Sequence, residues 1–216
     1  MSATANSPFF CIFVKSKNRK MNQIPIVEQH PFNPFVPRLP NVLMLGTFPP
    51  KPSRWSMEFY YPNKINDMWR IMGSVFFGDK NRFWDDDSKA FRLGDIKDFL
   101  EAQGIALYDT AVKARRLKDN ASDKFLDIVE TINLAKFFCD YPTIKAVVTT
   151  GEKASSVVAE MAGCRVPAIG FPVACELHGH QFMFCRMPSS SRAYPLAFDK
   201  KAEAYRNLFL ALGYSL

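Results

Sequence analysis

No run in this sequence approaches the roughly 18 consecutive apolar residues of a membrane-spanning helix, so no span is expected. Cysteine is scarce as well. Its five positions, 11, 139, 164, 175 and 185, form an odd set without a close pair, which argues against a zinc knuckle or a cysteine-held iron–sulfur cluster. Free thiols in a reducing cytosol are the expectation. His178 and His180 flank Gly179, but no cysteine or carboxylate stands at a spacing that completes a metal site, and a turn is the plainer reading. A Gly-x-Ser-x-Gly elbow of a serine hydrolase is missing. No lysine stands out as a Schiff-base nucleophile. A secretory leader is not expected either, because near the start the basic cluster follows the apolar patch, the reverse of a signal peptide's order. Residues 1–22 read as an arm, with Met21 an alternative start, ahead of a domain at 23–216 in a cytoplasmic, monomeric protein.

Acidic residues are outnumbered, 21 against 28 lysines and arginines, which leaves a net charge of +7. The balance favours a polyanionic partner over an acidic small molecule. A solvated basic surface is the alternative that charge alone leaves open. With 216 residues, 48% of them hydrophobic, the chain is long enough to bury a core as one domain.

Residues 22–40, rich in proline and aromatics, suggest an extended segment lying across the body. Four buried strands are expected, at 42–46, 105–108, 144–149 and 181–186, with a possible short one at 166–169. Helices are expected at 65–77, 93–102, 123–138, 152–162 and 198–212, with 119–122 capping the third. Residues 113–118 read as a basic loop and 79–90 as a polar surface connection. Strand, loop and helix repeat four times. The fold class is therefore α/β: a single domain with a central four-stranded, mainly parallel sheet flanked by helices.

In such a sheet the loops that follow the strands emerge on one edge, where ligands bind. Four polar clusters then converge, at 47–66, 109–118, 149–153 and 188–192. The first is too long, too proline-stiffened and too aromatic for a mere connector.

Gly46, Pro49, Ser53, Tyr60-Tyr61-Pro62, and Asn66 three positions before Trp69 follow the first strand in order. This order of motifs resembles the uracil-DNA glycosylase superfamily, in particular its hypoxanthine-DNA glycosylase-like and mismatch-specific branches. Three later stretches agree in order, at 104–109, 149–153 and 187–191, and Glu203 to Arg206 is similar to the mismatch-specific branch. The resemblance implies a three-layer fold and a monofunctional, metal-free enzyme. It would hydrolyse the N-glycosidic bond of a deaminated base, uracil or hypoxanthine, without a cofactor. The partner would be DNA, its target nucleotide taken out of the stack.

In that scheme Asn66 is the catalytic residue, holding the attacking water; its alternative role is a helix cap. Gly46, Thr47, Phe48, Pro49, Tyr61 and Asp109 would bind the base, with Phe48, Tyr60 and Tyr61 candidates for stacking, worth about 1–3 kcal/mol per base. Asp109 would accept from a base edge or orient a donor, against the alternative of capping a turn. Ser53, Arg115, Arg116, Ser189, Ser190, Ser191 and Arg192 would meet phosphates, with Lys113 and Lys118 in the same basic cluster. Arg192 could instead probe the gap left by the flipped nucleotide. Two positions depart from the pattern: Phe48 stands where Asp or Asn is frequent, and Met187 where His or Asn is frequent. A lost donor of that kind costs about 10²–10³ in rate, so slow turnover on uracil is expected. The hypoxanthine branch also has an apolar residue in its first motif. The second reading is a catalytically weak or inactive member of the fold that binds nucleic acid or a nucleotide.

Overall fold

The structure, a computed structural model, describes residues 26–118 and 123–216. The arm at 1–22 and the expected cap at 119–122 lie outside the described residues. The first half holds β1 (Val27–Gln29), β2 (Val42–Gly46), α1 (Met68–Phe77), β3 (Trp84–Asp85), β4 (Ala90–Phe91), α2 (Leu93–Gln103) and β5 (Ile105–Asp109). Next come β6 (Ala111–Arg116), β7 (Leu126–Thr131), α3 (Leu134–Asp140), β8 (Ala146–Thr150) and α4 (Glu152–Met161). The chain closes with β9 (Val173–Leu177), β10 (His180–Met187) and α5 (Phe198–Ala211).

The central sheet runs in the order β5-β2-β8-β10-β9. Its first four strands are parallel, as expected, and β9 adds an antiparallel edge. Every residue of β2, β5 and β8 is buried, the signature of a parallel sheet covered on both faces. The register aligns the ends of the strands: Gly46 stands opposite Asp109, Leu45 opposite Thr149, and Met187 opposite Thr150. All four following loops therefore leave one edge. His178 and Gly179, with φ of 50° and 83°, make the two-residue turn between β9 and β10, so the His-Gly-His motif is a hairpin.

Apolar residues at helical spacing put Met68, Trp69, Ile71, Met72 and Val75 of α1 into the core. The helix stops where Gly78 takes a φ of 68°. Trp69 donates its indole N–H to the Tyr60 carbonyl at 3.0 Å, and this ties the long loop after β2 to α1. No helix among the described residues is long and apolar enough to cross a membrane. The four described cysteines are free thiols.

Three expectations fail. The stretch read as a helix over 123–138 is a 3-10 turn at Asp123–Phe125, then strand β7, and only then the short α3. The supposed basic loop at 113–118 is mostly β6. Together with β1 they form a second, antiparallel sheet in the order β1-β6-β7. The physical reason lies across the strands. Lys113 pairs with Glu130 and Arg115 with Asp127, so charges that read as a basic cluster are matched residue by residue. The β-branched Ile128, Val129 and Thr131 suit that pleated surface better than a helix. The third failure is the strand at 166–169: only Ile169 makes an isolated bridge, to Arg186, and the edge strand lies further on.

The proline-rich segment adds strand β1 to this second sheet and crosses to the main one, where Phe35 exchanges hydrogen bonds with Leu107 at 3.0 and 2.9 Å. The second sheet has its own small core of Ala111, Ala114 and Leu126, with Phe48 and Ile128 against it. Leu43→Ala in the main core should cost about 2–5 kcal/mol in urea denaturation. Leu126→Ala should cost less, because its thin surroundings can collapse into the space.

Candidate functional site

At the shared edge lies a cleft of about 1110 Å³. The loop after β2 supplies Gly46, Thr47, Phe48, Pro49, Tyr61 and Asn66, and β5 ends in it with Asp109. Arg116 of β6 and the turn at Asp123–Phe125 close one side, Thr150 to Lys153 another, and Met187 to Arg192 the third. All four expected clusters thus meet in one cavity. Ser53 and Arg115 do not line it. Ser53 lies exposed on a 3-10 turn whose neighbour Arg54 reaches the cleft instead. Arg115 precedes Arg116 on a strand, and alternation puts the two on opposite faces; its guanidinium meets Asp127 at 3.1 Å. Among the described lining residues are six basic ones (Arg54, Arg116, Lys124, Lys153, Arg186, Arg192) against three acidic ones (Asp109, Asp123, Glu152), so the cavity favours an anion.

Asn66 is half-buried at the cleft wall. Its Oδ1 accepts the Met68 N–H at 2.9 Å, so the residue caps α1 from just outside the helix. Both roles considered for it are compatible. The cap fixes the amide's orientation, and Nδ2 makes no hydrogen bond among the described residues. Next to it, Asp67 begins α1 without capping it, because its buried carboxylate is engaged elsewhere. Arg192 Nε donates to Asp67 Oδ1 at 2.7 Å, and Lys201 Nζ lies 3.6 Å from Oδ2.

Lys201 is only 1% exposed, and it also donates to the Ser191 carbonyl at 2.8 Å. The Asp67 N–H reaches the Ser190 carbonyl at 2.9 Å, and Tyr205 donates its hydroxyl to the Pro188 carbonyl at 3.1 Å. The serine loop is therefore clamped to the residues beside Asn66. Ser190 is buried in this clamp, while Ser189 and Ser191 accept backbone N–H groups and keep their own hydroxyl protons. Arg192 sits at the rim with its guanidinium half exposed.

The two tyrosines separate. Tyr60 is 2% exposed and gives its hydroxyl to the Asn33 carbonyl, so it belongs to the core. Tyr61 lines the cleft in a left-handed backbone, φ 50°, an uncommon conformation for a bulky residue and a mark of local strain. Its hydroxyl lies 3.3 Å from Thr150 Oγ1, and burial, with the nearby Asp109, pushes its phenol well above the usual range.

Asp109, nearly buried, lies with Oδ2 2.9 Å from His30 Nε2. His30 Nδ1 in turn lies 2.8 Å from the Phe32 carbonyl, and its ring packs among Phe48, Tyr60 and Tyr108. His30 went unnoticed in the sequence because nothing local marks it; its partner is 79 residues away. Gly46 is required here, since a Cβ on it would collide with Asp109 Oδ1. Phe48 is a wall residue that also anchors the small core, with the Arg116 guanidinium 5.3 Å from its ring. Arg116 itself is engaged by Glu28 at 2.9 Å and by the Pro49 carbonyl at 2.7 Å.

Asp123, also missed, enters from the β6–β7 connection. Thr47 donates to its Oδ2 at 2.8 Å. Burial raises its carboxyl above the ordinary value, against the opposing pull of Thr47. Lys153 fixes this corner by donating to the carbonyls of Asp123, at 2.9 Å, and Leu126.

Gly46→Ala should displace the Asp109 carboxylate and cost about 1–3 kcal/mol of stability, read by urea denaturation together with a changed His30 ring signal in NMR. Lys201→Met removes the buried ammonium that satisfies Ser191 and Asp67. A loss of about 1–3 kcal/mol is expected from the groups left unpaired.

No protein-family model matches the chain, and no curated protein sequence does. Among solved structures, the solution NMR structure of a proposed uracil DNA glycosylase from Methanosarcina acetivorans is similar, with a TM-score of 0.60 at 20% identity. The match covers 88% of this chain and 100% of that one. The chain has a uracil-DNA-glycosylase-like α/β fold, a mainly parallel sheet flanked by helices with a basic cleft at the ends of its strands.

Proposed function

We propose that the chain is a monofunctional DNA glycosylase that hydrolyses the N-glycosidic bond of a deaminated base, uracil or hypoxanthine. The observation that carries this reading is the convergence of Asn66, Tyr61, Asp109 and the serine loop on one basic cleft. A nucleotide drawn out of the stack would enter between these groups. The volume is ample for a base and its sugar. Uracil and hypoxanthine each present an N–H beside a carbonyl. Asp109 would accept from that N–H, with His30 holding its other oxygen in place. Tyr61 offers the wall against which the base lies.

As the bond breaks, positive charge builds on the sugar and negative charge on the base. Asn66, its amide plane set by Met68, has Nδ2 available to orient a water or the sugar. Ser189 and Ser191 hydroxyls, with Arg192, would hold the flanking phosphates. Ser190 and Arg116 are occupied inside the protein and support the site from behind. Ser53 and Arg115 have no place in this scheme. A likeness to the hypoxanthine branch fits the apolar Phe48.

The second reading, binding without cleavage, keeps one observation in its favour: the Asn66 carbonyl oxygen already serves as a helix cap. Incubation with duplexes carrying uracil, hypoxanthine or xanthine, followed by alkali to reveal abasic sites, separates the two. Cleavage of at least one lesion is expected, with Asn66→Ala slower by about 10²-fold or more and duplex affinity nearly unchanged. Wild-type protein that binds duplex yet leaves every lesion intact would establish the binding reading instead.

A further inference from the structure

We infer that Asp123 is the proton acceptor for the attacking water, a carboxylate brought to the cleft from the β6–β7 connection; the inference rests on the glycosylase reading above. The residues of the loop after β2 that line the cleft, Phe48 among them, include no acidic group to activate a water, and Glu58 of the same loop lies exposed outside it. The fold supplies one from elsewhere. Thr47, the residue beside Phe48, donates its hydroxyl to Asp123 Oδ2 at 2.8 Å, which brings the carboxylate to the same corner of the cleft.

Asp123 is also placed by its backbone. Lys153, at the start of α4, donates to its carbonyl at 2.9 Å and to that of Leu126, so the turn is pinned to the element that follows β8. Leu126 roots the same turn in the small core with Phe48. A carboxylate held by the residue after β2, by α4 and by the start of the β7 strand that follows it is preorganised.

The other acids at the cleft are poorer candidates. Asp109 is 6% exposed and engaged by His30. Glu152 lies out at the rim, with its side chain 82% exposed. Asp67 is held between Arg192 and Lys201 behind the wall. Among these acids Asp123 is half-buried and lines the cleft, and among the described residues its carboxylate is hydrogen-bonded by the neutral Thr47 hydroxyl at Oδ2.

Burial lifts its carboxyl, and the charge of Asp109 adds to the lift. The Thr47 hydrogen bond, Lys153 and Arg116 pull the other way. A carboxylate tuned upward is a better base than a free one near neutral pH. In the step, the water oxygen forms a bond to C1′ as the C1′–N bond breaks. The electron pair of that bond leaves with the base, which takes its proton from solvent, and the water's proton passes to Asp123. The product is an abasic sugar carrying a 1′-hydroxyl.

The test is single-turnover base release between about pH 4 and 9 for wild type, Asp123→Asn, Thr47→Val and Thr47→Ser. The carboxylate must be ionised, so wild-type rate falls as pH drops through its raised pKa. Asp123→Asn should lower the rate by about 10²-fold or more and abolish that acid limb. Thr47→Val removes the bond that favours the charged form and should shift the limb to higher pH, and Thr47→Ser should restore it. A wild-type rate and limb in Asp123→Asn, or an unmoved limb in Thr47→Val, would overturn the role of Asp123 and leave the glycosylase reading standing. A wild type silent on every lesion would overturn both.

Discussion

The carboxylate of Asp67 is the constraint on which the site depends. It is buried, it starts α1, and it spends its oxygens on Arg192 and Lys201 instead of on the helix's own N–H groups. Those bonds draw the loop after β10 against the loop after β2, and the backbone bridge between Asn66 and Ser191 completes the contact. A buried carboxylate hydrogen-bonded to one cation and paired with a second sits in a deep well of geometry, even where its net contribution to stability is small. Two segments about 125 residues apart are thereby held in one register. The capping duty that Asp67 gives up falls to Asn66, and this sets the angle of the Asn66 amide.

The opposite wall is built differently. There the second sheet leans its small core on Phe48, a side chain that faces both that core and the cleft. Gly46 has no side chain because the Asp109 carboxylate occupies the space, and Asp109 is held by a histidine from the segment before β2. One wall thus rests on ion pairs and the other on packing with two carboxylates set into it. On the proposed reading this difference has a use: the ionic wall meets phosphates, and the apolar wall meets the base.

Much of this was legible in the sequence, and the limits are physical. Strands β2, β5, β8 and β10 are apolar runs bounded by turn residues, and a parallel sheet forces their loops to one edge. That topology alone places Gly46, Tyr61, Asn66, Asp109 and the serine loop together. What failed was non-local. Strands β6 and β7 owe their form to cross-strand ion pairs, and read alone the charges of β6 look like a loop. Arg115 and Arg116 read as equivalent in the sequence, and strand alternation separates them. His30 and Asp123 carry no local signal, since each is defined by a partner, Asp109 or Thr47, more than 70 residues distant. Asp67 and Lys201 were hidden for the same reason.

The central claim is that these walls enclose a cavity for one extruded nucleotide. A crystal structure of the protein with a duplex carrying a 2′-fluoro-2′-deoxyuridine lesion, whose glycosidic bond resists hydrolysis, tests it most directly. The account predicts the base outside the helix, lying against Tyr61 with its N–H on Asp109 and a flanking phosphate at Ser189 and Ser191. A duplex bound with that base still stacked, or bound on a face away from Asn66, would contradict it.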